Sequence, residues 1–79
     1  VSGALRTIDA LGTWCPVPVS LLRRAAMQAA RGDIIVVLAD DPLVKVDIPA
    51  WCHDQGHEVI AVEDDAGVIT TRVRISPPT

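Results

Sequence analysis

Two prolines separated by a single residue, Pro16 and Pro18, stand directly after Cys15 and directly before residues 19–31, a stretch with neither glycine nor proline. Proline has no N–H and its ring clashes with the carbonyl four residues back, so a pair is tolerated only in the first turn of a helix. The spacing therefore predicts a helix beginning at Pro16, with Cys15 as its N-cap. The apolar pattern agrees. Leu21, Leu22, Ala25, Ala26 and Ala29 fall on one side, and Ser20, Arg23, Arg24, Gln28 and Arg31 on the other. The alanine-rich side permits close approach to a sheet. Met27 projects from the polar arc, and Gly32 is expected to close the helix as a left-handed cap.

The remaining elements arrange themselves around that helix. Leu5–Ala10 alternates weakly and reads as a first strand, followed by a short loop in which Gly12 is free to take a positive φ. Ile34–Ala39 is a continuous apolar run of strand length, the mark of a central strand. Asp40-Asp41-Pro42 makes a turn that can open a second helical stretch through Gln55. Pro49 again calls for a first-turn position, which makes Asp47 the N-cap of the main part, and Gly56 ends it. Residues 57–63 and 68–75 read as strands joined by the loop Asp64-Asp65-Ala66-Gly67. The tail Pro77-Pro78-Thr79 is expected to fray. The order β-α-β-α-β-β predicts an α/β two-layer sandwich, a four-stranded mixed sheet with two helices on one face. No repeat or linker divides residues 1–79, so one domain is expected.

Composition narrows the function. With 79 residues, a 49% hydrophobic fraction and no Phe or Tyr, the core must be built from Val, Ile, Leu and Ala. The seven Lys and Arg residues and a net charge of −3 leave no broad phosphate-binding face, and two Trp supply little stacking surface, so direct nucleic-acid binding is not expected. No apolar run approaches the roughly 20 residues needed to span a bilayer, and no basic-then-apolar signal opens the chain. A cytoplasmic protein without membrane contact is expected. The opening at Val1 rather than Met is read as a trimmed or processed start.

The chemistry concentrates at Cys15. A thiol at a helix N-terminus meets a partial positive charge and unsatisfied N–H groups, and both favour the thiolate, the form that attacks sulfur. A persulfide is anionic too and gains from the same setting. Pro16 and Pro18 remove two N–H groups and stiffen the backbone, leaving the N–H of Val17 as the most available early donor. The thiol pKa is thus expected below the free value of about 8.5. A cysteine hydrolase would also want a base within hydrogen-bond reach, but His53 and His57 sit far along the chain. Cys52 lies mid-helix beside Trp51 with no electrostatic device nearby and reads as a core thiol. Trp51 could fill the core, whereas Trp14 beside Cys15 suits an exposed contact residue.

The run from Ile8 to Val19, with Asp9, Gly12 and Cys15-Pro16-Val17-Pro18, resembles the signature of the TusA (SirA-like) family of sulfur carriers, which has Cys-Pro-x-Pro after an Asp-x-x-Gly approach. Ala39-Asp40-Asp41-Pro42, Asp47-Ile48-Pro49 and Gly56-His57 extend the resemblance over most of the chain. It implies the same sandwich fold. It also implies a sulfur-relay carrier, not an independent enzyme, that takes sulfane sulfur on Cys15 from a cysteine desulfurase or other donor protein. The sulfur then goes to a downstream acceptor protein in tRNA 2-thiolation, sulfur oxidation or another trafficking pathway. No cofactor beyond the covalent sulfur is implied. Arg23, Arg24 and Asp41 match positions on the family's docking surface, and Trp14 joins them as a partner contact. Trp14 stands where the family often has Arg or another polar residue, and Val17 where it often has Glu, so the partner can differ from that of tRNA thiolation.

Three other readings compete. Cys15 could belong to a regulatory interaction module whose Cys-Pro-x-Pro element only shapes a docking surface. A thiol–disulfide oxidoreductase lacks a Cys-x-x-Cys pair. A zinc set of Cys15, Cys52, His53 and His57 is opposed by Gly56, which ends the helix between the histidines, and by the wide cysteine spacing.

Overall fold

The computed structural model describes residues 5–14 and 16–76. The expectations for Cys15 itself and for the Pro77-Pro78-Thr79 tail lie outside the described residues. Strands β1 (Leu5–Ala10), β2 (Ile34–Ala39), β3 (Glu58–Asp65) and β4 (Val68–Arg74) and helices α1 (Val17–Gln28) and α2 (Val44–Gln55) follow in the order β1-α1-β2-α2-β3-β4. The sheet runs β1-β2-β4-β3, with β1 and β2 parallel and the other pairs antiparallel. Helix α1 lies over β1 and β2, and α2 over β3 and β4. The helices touch each other and so cover one face. This is the expected two-layer mixed α/β sandwich.

The core is aliphatic, as the composition requires. Ile35, Val37 and Ala39 of β2 meet Ile69 and Val73 of β4, with Ile75 just beyond that strand, beneath Leu22 of α1 and Val44, Ile48 and Cys52 of α2. Leu21, Ala25, Ala26 and Ala29 pack partly against that cluster, so the predicted inner face of α1 is the face that packs. The core side chains of β2 occupy alternate positions, which assigns Ile34, Val36 and Leu38 to the uncovered face. Burying Val37 on one face and Val36 on the other is why this strand reads as a continuous apolar run.

Helix boundaries differ from the sequence expectation in three places. α1 begins at Val17 with Pro16 as N-cap, one residue later than predicted. Its far end is Gln28, where Ala29 turns extended and the N–H of Ala30 bonds the buried Asp33 carboxylate at 2.8 Å. Gly32 does take a positive φ, but in the following turn, where its N–H donates to the Ile75 carbonyl. α2 begins at Val44, not after an Asp47 cap, and Pro49 lies inside it. Its opening turn is wound tightly: the N–H groups of Val44, Lys45 and Val46 each donate to the carbonyl three residues back, on Asp41, Pro42 and Leu43. Gly56 ends α2 in the left-handed conformation as expected, with its N–H and that of His57 both on the Cys52 carbonyl.

Candidate functional site

The segments flanking position 15 emerge where β1 ends and α1 begins, beside the loop between β2 and α2. Parallel pairing of β1 with β2, ending at Ala10 opposite Ala39, brings these two loops together. Local chemistry then fixes the first of them. The Asp9 carboxylate accepts the Leu11 N–H at 3.0 Å, and Thr13 gives both its N–H (3.3 Å) and its hydroxyl (2.6 Å) to the Ala10 carbonyl. Gly12, at φ 75°, turns its N–H toward both carboxylate oxygens of Asp40, at 3.2 and 3.1 Å. That contact joins residues 28 apart in sequence and ties the Trp14 loop to the end of β2.

On the far side of position 15, the Val17 N–H donates to the Trp14 carbonyl at 2.8 Å. The donor that the sequence left open for an anion is therefore engaged: helical φ at Val17 aims its N–H back along the chain, and a turn closes on it. Pro16 is exposed while Pro18 is fully buried. The two prolines thus divide the work. Pro18 roots the helix start in the core and Pro16 holds the outer turn.

The predicted docking residues fall into two groups. Trp14, 78% exposed, and Asp41, half-buried, line one open depression of about 430 Å³ with Thr13, Asp40 and Leu43. Asp41 is held by the Leu43 N–H at 3.0 Å. Arg23 and Arg24 lie elsewhere, on a shallow hollow of α1 shared with Ser20 and Met27, the last 80% exposed as its place on the polar arc predicts. Two apolar residues escaped the sequence reading: Leu43, 55% exposed, and Val46, 67% exposed. A wheel drawn on α2 finds them, because Val44, Ile48 and Cys52 define the buried side and leave positions 43 and 46 off it.

The other titratable candidates are far from this end. Cys52 is a core thiol as expected, and burial pushes its pKa up to about 11. Trp51 is half-buried against the core and stacks on His57 with ring centroids 5.0 Å apart. His57 accepts the Ser76 N–H on Nδ1 at 3.1 Å, and burial lowers its pKa. His53 and His57 bracket the left-handed turn at Gly56. Among the described residues no three His, Cys, Asp or Glu side chains are grouped to hold a metal. Both histidines lie near the end of α2 opposite Leu43, roughly 18 Å away by helical rise. No histidine base therefore stands beside Trp14.

Residues 6–75 match the family described as Sulfurtransferase TusA, a span that includes the Cys-Pro-x-Pro segment and both loops of the depression. Among solved structures the chain is similar to a SirA-like protein from Desulfitobacterium hafniense. The two are 30% identical, with 87% of this chain and 95% of that one covered, and a TM-score of 0.78.

Proposed function

The chain belongs to the TusA family, and on that premise we propose that it is a sulfur-relay carrier with Cys15 as the sulfur-bearing residue. The observation that carries this reading is where the motif falls. Cys15-Pro16-Val17-Pro18 joins a loop tied down from two sides to a helix that starts two residues later, next to an exposed tryptophan. Cys52 is the contrasting case, a thiol whose pKa burial raises to about 11 and which stays protonated at neutral pH.

In the loading step the Cys15 thiolate attacks the terminal sulfur of a donor persulfide, R–S–SH. A new S–S bond forms on Cys15 as the donor's S–S bond breaks. The donor departs as R–S⁻ with the electron pair, and the proton stays on the transferred sulfur. Passing the sulfur on repeats this exchange with an acceptor thiolate. No oxidant, cofactor or metal enters. The exchange needs no histidine base, which fits the distance of His53 and His57 from Trp14. The donor is a cysteine desulfurase or another persulfide-bearing protein. The acceptor is a downstream protein of tRNA 2-thiolation, sulfur oxidation or a related pathway, and the setting is the cytoplasm. No helix among the described residues is long and apolar enough to cross a membrane.

Intact-mass measurement after incubation with a cysteine desulfurase and cysteine tests the proposal. One added sulfur is expected on the parent chain and on Cys52→Ala, and none on Cys15→Ser. Loading that survives Cys15→Ser would move the site elsewhere. Loading absent from all three, with partner binding and cellular phenotype intact in Cys15→Ser, would favour a regulatory interaction module.

A further inference from the structure

We propose that the sulfur-exchanging partner of this chain approaches Cys15 with an apolar segment bearing an arginine or lysine, seated in the depression between Trp14 and the start of α2. The inference rests on the carrier reading and adds the chemistry of the partner. Transfer by direct attack requires the two reacting sulfurs to come within bonding distance, about 2 Å in the product. Consecutive Cα atoms are 3.8 Å apart, so a partner segment that reaches position 15 passes within one residue of Trp14.

What it covers there is apolar and anionic. Trp14 stands 78% exposed, and Leu43, 55% exposed, lines the same depression just before the chain enters α2. Large apolar side chains exposed together, with a tryptophan among them, are typical of a surface that a protein partner covers. The charges bordering them have one sign. Asp40 and Asp41 line the depression, and among the described residues no lysine or arginine does. The nearest cation on α2, Lys45, is bonded to Asp64 at 2.6 Å. Backbone N–H groups hold both carboxylates in place, Gly12 on Asp40 and Leu43 on Asp41.

A cation entering this space meets two fixed carboxylates and the face of an indole, a combination that favours guanidinium or ammonium. A cation carried on the same partner segment also favours the thiolate or persulfide anion with which that segment exchanges sulfur. An acidic partner would instead suit Arg23 and Arg24, but Arg23 lies six residues beyond Val17, roughly 9 Å along α1. Immediately beside the sulfur-bearing position the described surface asks for a positive partner.

The test uses three peptides of equal length, each with a central cysteine hydropersulfide flanked by leucines and by arginine, glutamate or glutamine. Loading of Cys15 is followed by mass. Each rate is divided by that of the same variant with a small uncharged alkyl hydropersulfide, too small to span the depression. The arginine peptide is expected to load on the order of tenfold faster than the glutamate peptide at low salt, with the advantage collapsing at high salt. Asp40→Asn combined with Asp41→Asn keeps the oxygen acceptors for Gly12 and Leu43, and should remove most of that advantage. Trp14→Ala should slow the arginine peptide severalfold relative to the small donor. Equal loading by the glutamate and arginine peptides overturns the inference alone, as does dependence on Arg23 and Arg24 rather than Asp40 and Asp41. Failure of the small hydropersulfide to load Cys15 overturns the carrier reading, and the inference with it.

Discussion

Thr71 sits on the inner face of β4, between Ile69 and Val73, with its register partners Val37 and Val62 on either side. It is fully buried, and its hydroxyl has no hydrogen-bond partner among the described residues. A buried hydroxyl left unbonded costs roughly 1–3 kcal/mol relative to one in water. Valine has nearly the same shape, and every neighbour on that face is aliphatic. Thr71→Val is therefore expected to raise unfolding stability by about 1 kcal/mol, read as a higher urea midpoint at unchanged slope. A lower midpoint would mean that the hydroxyl finds a partner, such as a buried water. The residue scale also separates the two cysteines. Cys52 was legible as a core thiol because it lies mid-helix with no electrostatic device beside it, and in the fold it shares the buried side of α2 with Val44 and Ile48. Asp40 was not legible. In sequence it is half of a turn-like acidic pair, and its grip on Gly12 exists only because β1 and β2 end side by side.

The hairpin joining β3 to β4 shows what an element demands of its turn. Asp65 pairs with Val68, so the turn is only Ala66-Gly67, and both residues take positive φ, 53° and 89°. Two-residue turns of this kind match the twist of the strands they join, but the conformation suits asparagine or glycine and strains alanine by about 1–2 kcal/mol. Ala66→Asn is expected to stabilise the fold by about 1 kcal/mol, most of it as slower thermal or denaturant unfolding if the hairpin closes late. No gain would show that the strain is relieved elsewhere. The same hairpin marks the limit of local reading. β1 and β2 were legible to the residue, one from its alternation and the other from its apolar run, since neither pattern needs a distant partner to read. β3 runs to Asp65 although Asp64-Asp65 looks like loop sequence, because Lys45 reaches across from α2 to Asp64 and Gly67 donates its N–H to the same side chain at 3.1 Å. α2 starts before Pro49 rather than just ahead of it for a comparable reason. Its tight opening turn and the burial of Val44 hold a start that the position of one proline argues against. Leu43 became part of the candidate site only once that earlier start was known.

Across the whole molecule, a partly buried histidine and a buried cysteine bound the pH range in which the fold is most stable. His57 packs on Trp51, accepts the Ser76 N–H on Nδ1, and lines one open hollow with Arg23, Asp54 and Gln55 of the two helices. Partial burial disfavours the charged ring, so its pKa lies below the ordinary 6.5, and protonation at Nδ1 would also break the Ser76 bond. As pH falls through 6.5 the unfolded chain takes up this proton before the folded one, and stability declines until the lower folded pKa is passed. Cys52 acts at the other side. Its pKa rises from 9.0 to about 11 in the folded chain, so above pH 9 the unfolded state releases a proton that the folded state keeps, and stability declines again. Urea midpoints measured in a Cys15→Ser background should thus form a plateau between about pH 6.5 and 9 with a falling limb on each side. Cys52→Ala should flatten the alkaline limb while lowering the plateau through the lost packing. His57→Asn, whose side-chain oxygen can still accept from Ser76, should flatten the limb that begins as pH falls below 6.5. Below that, Asp64 takes over: its pairing with Lys45 holds its pKa below 3.8, so its share of stability is kept above that value and lost on further acidification. An acid limb unchanged by His57→Asn would assign the proton uptake to another group and remove His57 from the account.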